Sequence, residues 1–262
     1  MTAITVTLSG STGTAALAVK VLTGAAASQP GAVVSDTTAA SAAITPAGNG
    51  SLVYGAYQTL IGSGASYPYS VTGATQVISD AANGSARQAV NLRSTATTTA
   101  GTPVTLGVIA EGGEDSFSLA LCEILASGTL AEDASSPATV PLSGASTMTP
   151  VSSLTTASFS PPAGALLVAM GSTGSGTPTL SDSSGLTWTK QASAVVSFVS
   201  AAVWTAQLAS GGGGGTTYSS YPSGTPHSGS EGNTFTGTDT NANVGEPNAL
   251  GVLPLGTPYG LA

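Results

Sequence analysis

Three carboxylates crowd one short stretch of the chain, Glu111, Glu114 and Asp115 in "AEGGEDS". Paired carboxylates are the machinery of glycoside hydrolysis, and clustered carboxylate oxygens hold calcium. The Gly-Gly between them equally makes a solvated hairpin tip. A paired acid and base needs one carboxyl withdrawn from water, which an exposed tip does not provide. The stretch is therefore expected to bind no metal tightly. Other reactive groups are scarce. His227, the single histidine, sits in "SGTPHSGS", where no rigid partner could orient it as a base. Cys122, the single cysteine, lies in the apolar run "FSLALCEIL" and reads as a buried, inert thiol. One cysteine excludes an internal disulfide framework and a cysteine-based zinc site. No phosphate-loop or dinucleotide fingerprint occurs. Neither a catalytic residue nor a cofactor is expected.

Aromatic residues offer a second kind of chemistry. "YGAYQ" and "SYPYS" place Tyr54, Tyr57, Tyr67 and Tyr69 within sixteen residues (69 − 54 + 1). Tyr67 and Tyr69, two apart, share a strand face. Flat rings with polar tips can stack on sugars, or they can form half-buried sheet surface. Trp188 and Trp204 read most simply as core anchors.

What must position these groups is a β framework. Charged residues make up 6% of the 262 residues, with 4 Lys and Arg against 12 Asp and Glu. So acidic a chain repels polyphosphate, which argues against nucleic acid as a partner. Apolar residues reach 41%, enough to bury a core, and 35 Gly with 15 Pro supply dense punctuation. No apolar run approaches the length of a membrane span. "MTAITVTLSG" lacks the basic and apolar regions of a secretory signal, so synthesis in the cytosol without export is expected.

Period-two alternation marks strands at 4–8, 17–22, 51–57, 75–80, 87–93, 103–111 and 117–125. The run "LALCEILA" also permits a short helix. "ITPAGNGSLVYGAY" from Ile44 and "FSPPAGALLVAMGS" from Phe159 are variants of one phrase, followed by "VISDAANGS" and "TLSDSSG". Each of the latter ends a strand in Ser-Asp, so Asp80 and Asp182 should cap the turns that follow. The phrase opens a repeated β module, its proline marking a strand start or edge. The second copy stops early, at residue 209. The strand at 4–8 or a neighbouring chain could complete it.

"SFSPPAGALLVAMGSTGSGTPTLSDSSGLTWTK", followed by "AAVWTAQLA", resembles a phrase of virion structural proteins of tailed phages that infect actinobacteria, typically minor tail or accessory proteins. Residues 36–125 look like a divergent relative of residues 152–209. The resemblance implies β-sandwich, jelly-roll-like modules in a virion and transfers no catalytic residue.

The expected protein is all-β. Residues 1–130 form an N-terminal sandwich, 131–150 a linker, 151–209 a second, shorter module, and 210–262 an extended Gly/Ser/Thr/Pro-rich arm. Its expected role is a non-enzymatic virion component that contacts other virion proteins and copies of itself. The arm would dock through Leu250, Val252, Leu253, Leu255, Tyr259 and Leu261, where Pro254 and Pro258 favour an extended course. The alternatives are a host-surface glycan-binding module using the four tyrosines and a head decoration protein.

Overall fold

A computed structural model describes residues 2–12, 14–61, 70–81, 87–109, 114–141, 151–174, 176–197 and 199–209. The chain divides into Met1–Leu208 and Ala209–Ala262. No helix occurs among the described residues, which contain seventeen strands. Residues 117–124 of the run at 117–125 lie in one strand, so the helical alternative for it does not hold.

Strands β3 (Val33–Asp36), β10 (Glu114–Ile124), β5 (Leu52–Ile61), β8 (Arg87–Ser94) and β7 (Ala74–Ala81) form one sheet in that order. Strands β4 (Ser41–Ile44), β9 (Val104–Val108) and β6 (Val71–Thr72) form a smaller sheet. β6 and β7 are nearly one strand, bent between the sheets at Gly73. There φ is +62°, and a Cβ would strike the Thr105 carbonyl, so only glycine fits. The pairs β3–β10, β4–β9 and β5–β8 nest like a folded-over hairpin, the jelly-roll arrangement. Val53, Tyr57, Val90, Leu92, Leu106, Leu119 and Leu121 fill the space between the two sheets.

The second sandwich draws on both ends of the body. Its larger sheet runs β11 (Ala126–Glu132), β2 (Ala15–Ala25), β14 (Leu166–Thr173), β17 (Val199–Gln207) and β16 (Thr189–Val196), with β12 (Val140–Pro141) also on β2. The smaller one runs β13 (Val151–Thr155), β1 (Ile4–Thr12) and β15 (Thr179–Asp182). Ile4, Val6, Leu17, Val19, Leu167 and Trp204 pack between them.

These pairings correct the expected domain boundaries. β1 and β2 lie within 1–130 in sequence but belong to the second sandwich, where Thr5 faces Thr155 and Ala18 faces Met170. The expected linker 131–150 begins inside β11 and contains β12, both on the edge of β2. The second module is therefore not short. Ladder hydrogen bonds are made by backbone and do not report sequence distance, so a strand 150 residues away serves as well as a near one.

The five-stranded sheet of the first sandwich and the six-stranded sheet of the second pack against each other through Ala18, Leu22, Tyr54, Ala120, Cys122, Ile124, Val168, Met170 and Val203. The result is four β layers in which both inner sheets are covered on each face. This explains why "LLVAMGST" of β14 shows no polar alternation, since all eight of its residues are buried.

Candidate functional site

Glu123 points to the side of β10 opposite Cys122, where two loops close the end of the first sandwich. Its Oε2 accepts the amide N–H of Ala32 at 2.7 Å and of Ala47 at 2.8 Å, and its Oε1 accepts that of Gly48 at 2.9 Å. A Cβ at Gly31 would overlap the carboxylate, so glycine permits the close approach. Ala47-Gly48 is the Ala-Gly of the repeated proline phrase. In this copy the phrase is therefore a backbone cradle for a carboxylate. Burial works against the charge, but the amides of Ala32, Ala47 and Gly48 outweigh it and hold the carboxyl below its usual range. In the second copy the phrase is held differently, by Gln207 Nε2 donating to the Gly164 carbonyl at 2.9 Å.

Glu132, at the end of β11, joins the two sandwiches. Lys20 Nζ of β2 lies 3.0 Å from its Oε2, and Arg93 Nη1 of β8 lies 3.1 Å from its Oε1. The Tyr54 hydroxyl of β5 donates to the same Oε1 at 3.0 Å. Lys20 shares a strand face with Ala18 and Leu22, so its ammonium emerges at the rim of the apolar interface and needs this partner. Burial raises the Glu132 carboxyl, and Lys20, Tyr54 and Arg93 together bring it down overall. Burial first, then the Glu132 charge, pushes the Tyr54 phenol far above its ordinary value.

Asp182 caps its turn as expected, its Oδ1 accepting the Ser184 N–H at 2.6 Å and its Oδ2 the Trp188 indole N–H at 3.0 Å. The side chain of Asp80 lies outside the described residues. Asp36, at the end of β3, makes a turn of the same kind, where hydrogen bonds from the Thr38 amide and hydroxyl lower its carboxyl. Asp133 is lowered too, by hydrogen bonds from Ser135. A general acid working near neutral pH needs its carboxyl pushed up, and those of Asp36, Glu123, Glu132 and Asp133 are all pushed down. Among the described residues no group of three or more His, Cys, Asp or Glu is placed to hold a metal.

The residues singled out from sequence fare unequally. Tyr54 and Tyr57 are fully buried, which corrects their candidacy for sugar stacking. Tyr54 faces the second sandwich, and Tyr57 packs beside Phe117 with ring centroids 6.4 Å apart. Glu114 is not in a loop but begins β10, its backbone opposite Ile61. The side chains of Glu114 and Asp115, and the whole of Glu111, lie outside the described residues. So do Tyr67, Tyr69, His227 and the six arm residues Leu250, Val252, Leu253, Leu255, Tyr259 and Leu261. Glu123 and Glu132 were not singled out. The available signal for Glu123 was a lone charge inside the apolar run "LALCEIL".

Cys122 is buried, and burial, with a smaller contribution from Glu123, pushes its thiol up to about 12. The thiolate is the reactive form, so the native protein should resist a thiol reagent until it unfolds. Labelling in native buffer as fast as in denaturant would contradict this placement.

No family model, curated protein or solved structure matches the chain.

Proposed function

We propose that this protein is a non-enzymatic structural component of a tailed-phage virion, a minor tail protein that assembles through its β-sandwich body and an extended C-terminal segment. The observation that carries the reading is where the charge goes. Glu123 is consumed by backbone amides of its own loops, and Glu132 by Lys20 and Arg93, two of the four basic residues in the chain. Charged groups spent on holding layers together suit a protein that acts by packing. The likeness of residues 36–125 and 152–209 to tailed-phage structural phrases supports the virion setting. Jelly rolls serve capsids and lectins alike, so the fold supports no choice between them. Burial of Tyr54 and Tyr57 removes two of the four rings on which a glycan-binding role rested.

Two experiments test the reading. Antibody labelling of purified particles should find the protein on the tail. Labelling on the head would make it a decoration protein, and none on the particle would refute the virion role. Deleting residues 211–262 should leave the β body folded, with an unchanged far-ultraviolet spectrum, yet abolish incorporation into particles. Normal incorporation of the truncated protein would show that the segment does not direct assembly.

A further inference from the structure

Strand for strand, the two sandwiches have the same order. Setting β4, β5, β6, β7 and β8 against β13, β14, β15, β16 and β17 maps one set of sheets onto the other. The match then requires β9 and β10 to correspond to β1 and β2, and β3 to correspond to the edge shared by β11 and β12. Ladder neighbours agree with it, since Ile124 faces Leu52 in the first copy as Leu22 faces Leu166 in the second.

What differs is where the chain is cut. In the first copy residues 95–103 carry the chain from β8 to β9 across the proline phrase. Thr98 N–H donates to the Ser51 carbonyl at 2.8 Å, and Gly101 N–H to that of Pro46 at 2.8 Å. In the second copy the phrase takes such bonds from the two ends of the folded body. Leu208 N–H donates to the Ala165 carbonyl at 2.9 Å, while Thr2 and Phe159 exchange two bonds of 2.8 Å. Phe159 and Ala165 are six residues apart (165 − 159), so they lie at most about 22 Å from each other. A nine-residue loop reaches about 30 Å, which spans that gap.

The contact between the sandwiches has the same symmetry. β5 lies against β14 at its centre, β10 against β16 and β17, and β2 against β7 and β8. Exchanging each strand for its counterpart returns the same set of contacts, the signature of an isologous interface. Both partners use the same face.

We infer that the body is a fused pair of one sandwich docked face to face on its own copy. The second copy is opened at the connection that residues 95–103 make in the first, and its last two strands are supplied by the N-terminal hairpin β1–β2. The face made by β10, β5, β8 and β7 fits one kind of partner, a second copy of the same sandwich, and the chain carries that partner covalently.

Two full-length variants test this. Thr5 and Thr155 face each other with hydroxyl oxygens 2.9 Å apart. In a T5C/T155C chain, mild oxidation should give an intrachain disulfide and a monomer on a non-reducing gel, Cys122 being buried. Disulfide-linked dimers, or no cross-link, would show that β1 does not complete its own chain's second sandwich. The other variant is a circular permutant running from Ser28 to Ala262 and then from Met1 to Ala27, opened at an exposed bend. It places the two copies in tandem, with residues 210–262 now joining β17 to β1 inside the second. It should give an unchanged far-ultraviolet spectrum and one cooperative transition within about 5 °C of the parent, on the order of the shift from a single small substitution. A permutant that fails to fold would overturn the equivalence of the copies, whatever the disulfide result.

Discussion

Replacing Glu123 by alanine is expected to cost about 3–5 kcal/mol, because it strips the acceptor from three amides in a closed part of the fold. For a body of this size that corresponds to a fall of about 6–20 °C in the melting midpoint. Glu123→Gln keeps the shape but turns a donor toward one of the amides, so it should fall between the parent and the alanine variant. The pH dependence follows from the direction of the shift. The Glu123 carboxyl is held below its ordinary 4.5 in the folded state. Its contribution is therefore fully present above that unfolded value and is lost as pH falls through the lower, folded one. The stability gap between the parent and Glu123→Gln should be widest near neutrality and shrink in acid. Denaturant melts at pH 7 and pH 3 check this, and a gap independent of pH would mean that the charge does not hold the loops. Gly31→Ala offers a second check. Its Cβ would overlap the carboxylate, so it should be costly in the parent and much less so in a Glu123→Ala background.

The second large effect is expected at Tyr54, among the largest fully buried side chains and packed where the sandwiches meet. Tyr54→Ala opens a cavity there and should cost about 3–5 kcal/mol, the usual range for losing a buried aromatic. Tyr54→Phe keeps the ring and removes only the hydroxyl that donates to Glu132. Because Glu132 retains Lys20 and Arg93, that change should cost about 1 kcal/mol. Thermal melts of the two variants separate packing from hydrogen bonding. A Tyr54→Ala protein as stable as the parent would mean that the ring is exposed rather than a core anchor.

Local chemistry made much of the framework legible from sequence. The alternation of "ITVTL" puts Ile4, Val6 and Leu8 into the core while Thr7 stays exposed, a period-two pattern that needs no knowledge of the partner strand. The turn at Asp182 is equally local, because the carboxylate binds amides two and four residues ahead. The repeated proline phrase precedes β5 and β14, which take the same place in their two sheets, whereas "VISD" lies in β7 and "TLSD" in β15, which do not, so that part of the sequence parallel is coincidental.

Two things only the tertiary structure decided. One is which sandwich owns β1 and β2. Nothing in "ITVTL" or "LAVKVL" names a partner near residue 155 or 170, because the ladder is backbone and its register is set only when the chain closes on itself. The other is the fate of Tyr54, Tyr57 and Glu123. A tyrosine on a strand reads as half-exposed when one sheet face meets water, but here each inner sheet is covered on both faces. A glutamate in an apolar run reads as a defect until the loops carrying Ala32, Ala47 and Gly48 arrive from 91, 76 and 75 residues away to bind it. Strand formation rests on neighbours in sequence, whereas burial and charge compensation rest on neighbours in space, which folding alone supplies.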